Sequence, residues 1–196
     1  MYDHLLQNIL KHRIIPKDEQ VLIANSFSIK RFKSSDWLIK PGTIARQLFF
    51  INNGVLKITL PHPHNKDVVY FFLKEHQFMT FLYSMYGNVP AVQGLQAACV
   101  AEVMMINYEQ LTDLYRQLPY LRALIDEIAQ LSMAEMVTIK NVYMFGEASD
   151  KYQNFLQRQP DVAKRVALND IASYLGITPQ SLSRIRRSIT NSKVIF

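Results

Sequence analysis

Between Leu168 and Arg187 the chain reads LNDIASYLGITPQSLSRIRR, which has the spacing of two short helices joined by a tight turn. Ile171, Ala172 and Leu175 recur on one helical face, and Gly176 supplies a residue able to take positive φ where that helix must stop. Thr178 is a good N-cap and Pro179 suits the first position of a second helix, whose buried side is then Leu182, Ile185 and Ile189. The opposite side carries Gln180, Ser181, Ser183, Arg184 and Arg187, side chains that reach base edges and phosphates. A generic helical hairpin has the same periodicity. The small Ala172, the turn glycine, the Thr-Pro start and the cluster Arg184, Arg186, Arg187 together favour a DNA-binding helix-turn-helix with the second helix as reader.

With 196 residues, 49% of them hydrophobic, the chain is long enough for one large domain or two small ones around a proper core. No apolar run approaches a membrane span, and Met1 to Ile15 lacks an apolar core of signal-peptide length, which predicts a cytoplasmic protein. The single Cys99 can form no internal disulfide and cannot alone hold an iron–sulfur cluster, so a small buried apolar role is expected of it. The net charge of +6 is uneven: residues 147–196 hold eight Lys and Arg against four Asp and Glu, residues 1–146 fourteen against twelve. The excess lies where DNA phosphates would need it, although a solvated face accounts for a charge of this size equally well.

Toward the front, Asp3–Lys11 and Pro16–Asn25 have helical spacing, after which the period changes from 3.6 to 2. Strands are predicted at Ser26–Phe32, Trp37–Lys40, Leu48–Ile51, Val55–Leu60, Val68–Leu73, Val92–Ala98 and Val103–Ile106, punctuated by Pro41-Gly42, Asn52-Asn53-Gly54 and Gly87-Asn88. Short strands this closely spaced suggest a small antiparallel roll or barrel. Helical spacing returns at Tyr108–Arg116, and Pro119–Phe145 is one long helical pattern of about 40 Å. Leu121, Leu124, Ile128, Leu131, Glu135, Thr138, Val142 and Phe145 follow a heptad seam that Ile125 and Ile139 widen. Such a helix is expected to pack on the roll with one face and on its twin from a second subunit with the other; the alternative is burial within its own chain. Gly146 ends it, and Ala148–Gln157 opens the C-terminal part.

Roll, long helix and helix-turn-helix, in that order, resemble the Crp/Fnr family of bacterial transcription regulators along nearly the whole chain. Three local motifs carry the likeness: Trp37-Leu-Ile-Lys-Pro-Gly42, the hairpin Leu48-Phe-Phe-Ile-Asn-Asn-Gly54, and Ile171-Ala-Ser-Tyr-Leu-Gly-Ile-Thr178. The resemblance implies an α+β protein with a cyclic-nucleotide-binding-like β-roll at 1–118, a dimerisation helix at 119–146 and a winged helix-turn-helix at 147–196. It also implies a homodimer that sets two reading helices in successive major grooves of a palindromic site, with double-stranded DNA and RNA polymerase as partners.

Family members that sense cyclic AMP carry a Gly-Glu pair for the ribose and, about ten residues later, an Arg-Ser pair for the phosphate. Aligning Phe78-Met-Thr-Phe-Leu82 with the first half of that cassette puts Thr80 and Phe81 at Gly-Glu, followed by Leu82, and the same register puts Ala91 and Val92 at Arg-Ser. Residues 75–115 contain no Lys or Arg, and burying a phosphate without a counter-ion costs several kcal/mol. Cyclic AMP and cyclic GMP are therefore not expected to bind in the usual manner. Phe78, Met79, Phe81, Leu82, Tyr83, Met85 and Tyr86 stand there instead, either filling the old cavity as core or lining a pocket for an apolar or aromatic effector whose identity is unreadable.

His62 and His64 near Asp67 make a weak metal motif better read as a surface loop, and His4 and His12, two turns apart on the first helix, find no third ligand. No catalytic constellation, metal site or cofactor motif emerges, so recognition rather than catalysis is expected. Within the reading helix Thr178 and Ser181 are assigned to phosphates, Gln180 and Arg184 to base edges, and Arg186, Arg187 or Lys193 to the flanking backbone. Pro179 stands where some relatives carry a base-reading Arg. After this helix only Asn191–Phe196 remains, so the wing is expected to be minimal or absent. A competing reading is a small-molecule sensor or protein-interaction module that kept the fold without sequence-specific DNA binding; the basic cluster argues against it.

Overall fold

Two helices, α1 (Asp3–Leu10) and α2 (Lys17–Ser26), come first and turn Leu5, Ile9 and Ile23 inward. The computed structural model describes residues 3–62 and 67–192; His64, Lys193 and the segment after Ser192 lie outside them. The roll follows as β1 (Ser28–Phe32), β2 (Trp37–Ile39), β3 (Gln47–Asn53), β4 (Leu56–Leu60), β5 (Val68–Leu73), β6 (Phe78–Met79), α3 (Leu82–Gly87), β7 (Gly94–Ala97) and β8 (Ala101–Asn107). These strands make two antiparallel sheets, in the orders β1-β8-β3-β6 and β2-β7-β4-β5. Alternation decides which side chains face inward: Phe49, Ile51, Leu56, Ile58, Leu95 and Val103, drawn from both sheets, share one core.

Between β3 and β4 the chain must turn where another strand end approaches. Gly54 has φ 101°, and a Cβ there would lie 2.6 Å from the Val100 carbonyl oxygen, so only glycine fits this hairpin. Two elements in the roll, β6 and α3, escaped the sequence pattern, because two to six residues are too few to show a period. The expected strands were otherwise found, shifted by one or two residues at most of their ends.

Helix α4 (Tyr108–Gln117) starts at a capping box formed by Asn107 and Gln110. Helix α5 (Tyr120–Val142) is shorter at both ends than Pro119–Phe145 and spans about 34 Å. It packs on the roll through Leu121, Leu124, Ile125, Ile128 and, two turns on, Met136. Of the expected heptad seam, Leu121, Leu124 and Ile128 are buried, Val142 is half-buried, and Leu131, Glu135, Thr138 and Phe145 are exposed in the single chain. A straight helix of 3.6 residues per turn drifts about 20° per heptad against a 3.5 repeat, so positions buried in the first turns rotate into solvent later. Leu131 at the midpoint of this helix, Met133 and Val137 are its exposed large apolar groups, and Met133 and Val137 fall with Asp126 and Gln130 on the side facing away from Ile128.

Helices α6 (Ala148–Arg158), α7 (Pro160–Arg165), α8 (Leu168–Leu175) and α9 (Pro179–Ser192) complete the described chain. Their core of Tyr152, Phe155, Val162, Ile171 and Leu182 is continuous with Val55, Val69 and Phe72 of the roll. The C-terminal helices are therefore docked on the β4–β5 side of the roll, a packing that the sequence pattern did not reveal.

Candidate nucleic-acid interface

Helix α8 ends in a Schellman motif. Gly176 sits at φ 66°, ψ 35°, its N–H bonds the Ser173 carbonyl at 3.2 Å, and the Ile177 N–H reaches back to the Ala172 carbonyl at 3.0 Å. Two residues later Thr178 caps α9: its Oγ1 accepts the Ser181 N–H at 3.1 Å. The same hydroxyl donates to Ser181 Oγ at 2.9 Å, so the two side chains assigned to phosphates are engaged with each other in the free protein. Pro179 occupies the first helical position, where its missing N–H costs nothing.

Leu182 is buried and Ile185 and Ile189 are half-buried, which anchors α9 on α6 and α8. Gln180, Ser183, Arg184 and Arg187 are exposed at i, i+3, i+4 and i+7, and so share one outward face. Arg186 is also exposed, on an adjacent flank. The expected reading residues are thus brought together, and no acidic residue occurs in α9.

What holds this face in place lies on the other side of the module. Lys57, the second residue of β4 and buried, donates to both carboxylate oxygens of Asp170 on α8, at 2.8 and 2.7 Å. Ser173 Oγ accepts the Val69 N–H of the edge strand β5 at 2.9 Å, satisfying a group that an open sheet edge would leave exposed. Arg165 forms a two-point ion pair with Glu75, one contact at 3.1 Å, while the Gly54 N–H bonds the same carboxylate at 2.7 Å. Tyr174 stacks edge-on with Phe72 at 4.9 Å and with Tyr143 at 5.5 Å. Burial pushes the Lys140 ammonium down to about 8, and it lies over the Tyr174 ring and donates to the Tyr174 carbonyl. Sequence reasoning missed these anchors because each joins residues far apart in the chain; a lysine facing away from the roll's core on a strand as apolar as β4 was the one available signal.

No protein-family model and no curated sequence matches this chain. Solved structures do. The c-di-GMP responsive global regulator CLP of Xanthomonas campestris superposes with a TM-score of 0.69 at 13% identity, covering 91% of this chain and 93% of that one. A CooA mutant from Carboxydothermus hydrogenoformans gives 0.62 at 14% identity over 95% and 84%. The Thermus thermophilus catabolite activator protein gives 0.54 at 13% identity over 95% and 88%. The chain has the Crp/Fnr fold. These neighbours are regulators rather than enzymes, and the likeness runs through the roll, the long helix and the helix-turn-helix alike.

The segment expected to stand in place of a nucleotide cassette, Phe78 to Tyr86, is buried in part and exposed in part. Phe78, Met79, Phe81 and Met85 are buried, Thr80 is half-buried, and Leu82, Tyr83 and Tyr86 are exposed. Ala91 is buried with its N–H bonded to the Thr43 carbonyl at 2.8 Å. The Val92 N–H donates to the Tyr83 hydroxyl at 2.8 Å, and that hydroxyl donates to Gln93 Oε1 at 2.6 Å. A groove of 390 Å³ lies alongside, lined by Ile58, Tyr70, Phe71, Tyr83, Gln93 and Val137 among others, and among the described residues no Lys or Arg contributes to its wall.

Cys99 is half-buried rather than buried; it packs against the core that includes Val55 and Ala98, and its Sγ also accepts the Val55 N–H at 3.3 Å. His12 falls beyond the end of α1, while His4 pairs with Asn52 at 3.2 Å. Among the described residues no three His, Cys, Asp or Glu gather around a metal-sized space, and no helix is long and apolar enough to cross a membrane.

Proposed function

We propose that this protein is a DNA-binding transcription regulator whose α9 helix reads the major groove, acting as a homodimer on a palindromic site. The observation that carries this reading is the exposed Gln180, Ser183, Arg184, Arg187 face on a capped helix, set on a helix-turn-helix that is itself anchored to the roll. Arg184 and Gln180 read base edges, with Arg suited to guanine and Gln to adenine; Thr178, Ser181, Arg186 and Arg187 meet the backbone. The second subunit packs along the exposed side of α5, where Met133 and Val137 stand in solvent. Two copies related by a two-fold axis then present their readers about 34 Å apart.

Cyclic AMP does not act as effector in the usual way. The groove, which has no basic side chain among the described residues, and the Tyr83 hydroxyl already bound to the Val92 N–H support that reading. Selection of the purified protein against random double-stranded DNA at near-physiological salt tests the whole. Enrichment of a palindrome with half-sites about one helical turn apart is expected; recovery of only salt-sensitive, sequence-blind complexes would overturn it. Calorimetry with cyclic AMP should give no saturable binding in the micromolar range.

A further inference from the structure

A second hollow, of 180 Å³, opens on the far side of the Thr80–Leu82 segment, between α3, α4 and α5. It shares Met79, Thr80, Leu82 and Met133 with the groove described above but has its own floor, built from Leu48, Phe78, Met85, Ile125 and Met136. A cavity of about 150 Å³ accepts a benzene ring, so by volume this more open hollow has room for a single aromatic ring and a short tail. Methionine walls favour such an occupant twice over, since thioethers adapt their shape and make favourable contacts with ring edges.

One feature of the wall does not belong to an apolar cavity. Asp126 projects from α5 into its lining, half-buried, with no hydrogen bond or ion-pair contact among the described residues. Burial holds its carboxyl above the usual aspartate range, and the neighbouring Arg122 only partly offsets that. Arg122 is itself engaged over the Tyr86 ring at 4.9 Å. Burial also raises the Tyr115 phenol, which remains a neutral hydroxyl at physiological pH. Among the described residues of this protomer the carboxylate makes no hydrogen bond or ion pair; it faces four methionines and two tyrosines, and the charge of Arg122 offsets its burial only in part.

From this charge complementarity and volume we infer that the hollow beneath α3 binds a small arylalkylammonium ion, its ring among Met79, Met85, Met133 and Met136 and its ammonium on Asp126. Such a ligand would bridge α3 to α5, the helix leading to the DNA-reading module, so an effector role rests on the function proposed above; the binding itself does not.

The test uses the full-length protein without DNA, with 2-phenylethylammonium as probe and 2-phenylethanol as its uncharged counterpart, followed by calorimetry and thermal shift. Saturable binding of the ammonium at one per chain is expected, weakened about ten- to a hundredfold in Asp126→Asn and similarly for the alcohol. Ala129→Leu, which fills the lining, should abolish binding of both probes in a protein whose circular dichroism is unchanged. Absence of saturable binding to the folded wild-type protein overturns the inference. So does equal binding by Asp126→Asn, or an Asp126→Asn variant that alters only subunit association, which would place the partner copy on this carboxylate instead. Because no DNA is present, failure here leaves the DNA-binding proposal standing, and the converse holds.

Discussion

Replacing Lys57 by Met removes the cation from an ion pair that joins the roll to the helix-turn-helix. The Lys57 side chain is 10% exposed and Asp170 19%, so both charges have given up most of their water to meet at 2.7 Å. Removing one member of a buried pair costs about 3–5 kcal/mol, mainly because the other charge is left without a partner. Asp170 borders an open cleft of 540 Å³, which lets water return to it, and this places the expected loss nearer to about 2–3 kcal/mol. For a chain of this length that is a fall of about 5–10 °C in Tm. The single Trp37 lines the same cleft, so its fluorescence in a urea titration reports on undocking directly. The double variant Lys57→Met with Asp170→Leu should recover more than half of the loss, since an apolar pair needs no solvation. If Lys57→Met unfolds within about 0.5 kcal/mol of wild type, the pair is solvated and does not anchor the module.

On a selected operator, Arg184→Ala should cost about 1–3 kcal/mol and relax preference at one base position, whereas Arg187→Ala should weaken all sequences alike and lower the salt slope by about one. Fluorescence anisotropy at several salt concentrations separates the two, and identical profiles would remove the assignment. Thr178→Ala should destabilise by about 0.5–2 kcal/mol through loss of the N-cap and fray the start of α9, visible as faster hydrogen exchange at Ser181. Burial alone would push the Glu75 carboxyl up, but hydrogen bonds from Arg165 and the Gly54 N–H hold it below the usual glutamate range. A carboxyl whose folded pKa lies below its unfolded value of about 4.3 adds stability that is complete above that value and lost as pH falls through the folded one. Urea midpoints measured from pH 6 down to pH 3 should therefore drop more steeply for wild type than for Glu75→Gln.

The elements most legible in the sequence were those whose signals are local. Gly176 after Leu175, Thr178-Pro179 ahead of Leu182, and the turn at Gly54 each specify backbone geometry within a few residues, and each was found where expected. Helix α5 was legible as a helix but not in its contacts. Which of its apolar groups are buried depends on how the roll curves beneath it, so Leu131, Met133 and Val137 stay exposed along its middle while Ile128 and Met136 are covered. The short β6, α3 and α7 left no periodic trace, and the hydrogen bond that Cys99 accepts was not announced by its apolar neighbours.

By itself the sequence determined the order of roll, long helix and capped helix-turn-helix, and the face of α9 that carries its basic groups, because propensity, capping and periodicity act between neighbours. Only the tertiary structure decided where that face is held and where ligand-sized space remains. Lys57 meets Asp170, Glu75 meets Arg165, and Asp126 lines a methionine-rich hollow without a hydrogen bond or ion pair among the described residues, because distant segments were brought together by burial of a shared core. Burial of that kind is non-directional and leaves no signature at either end of the contact it creates.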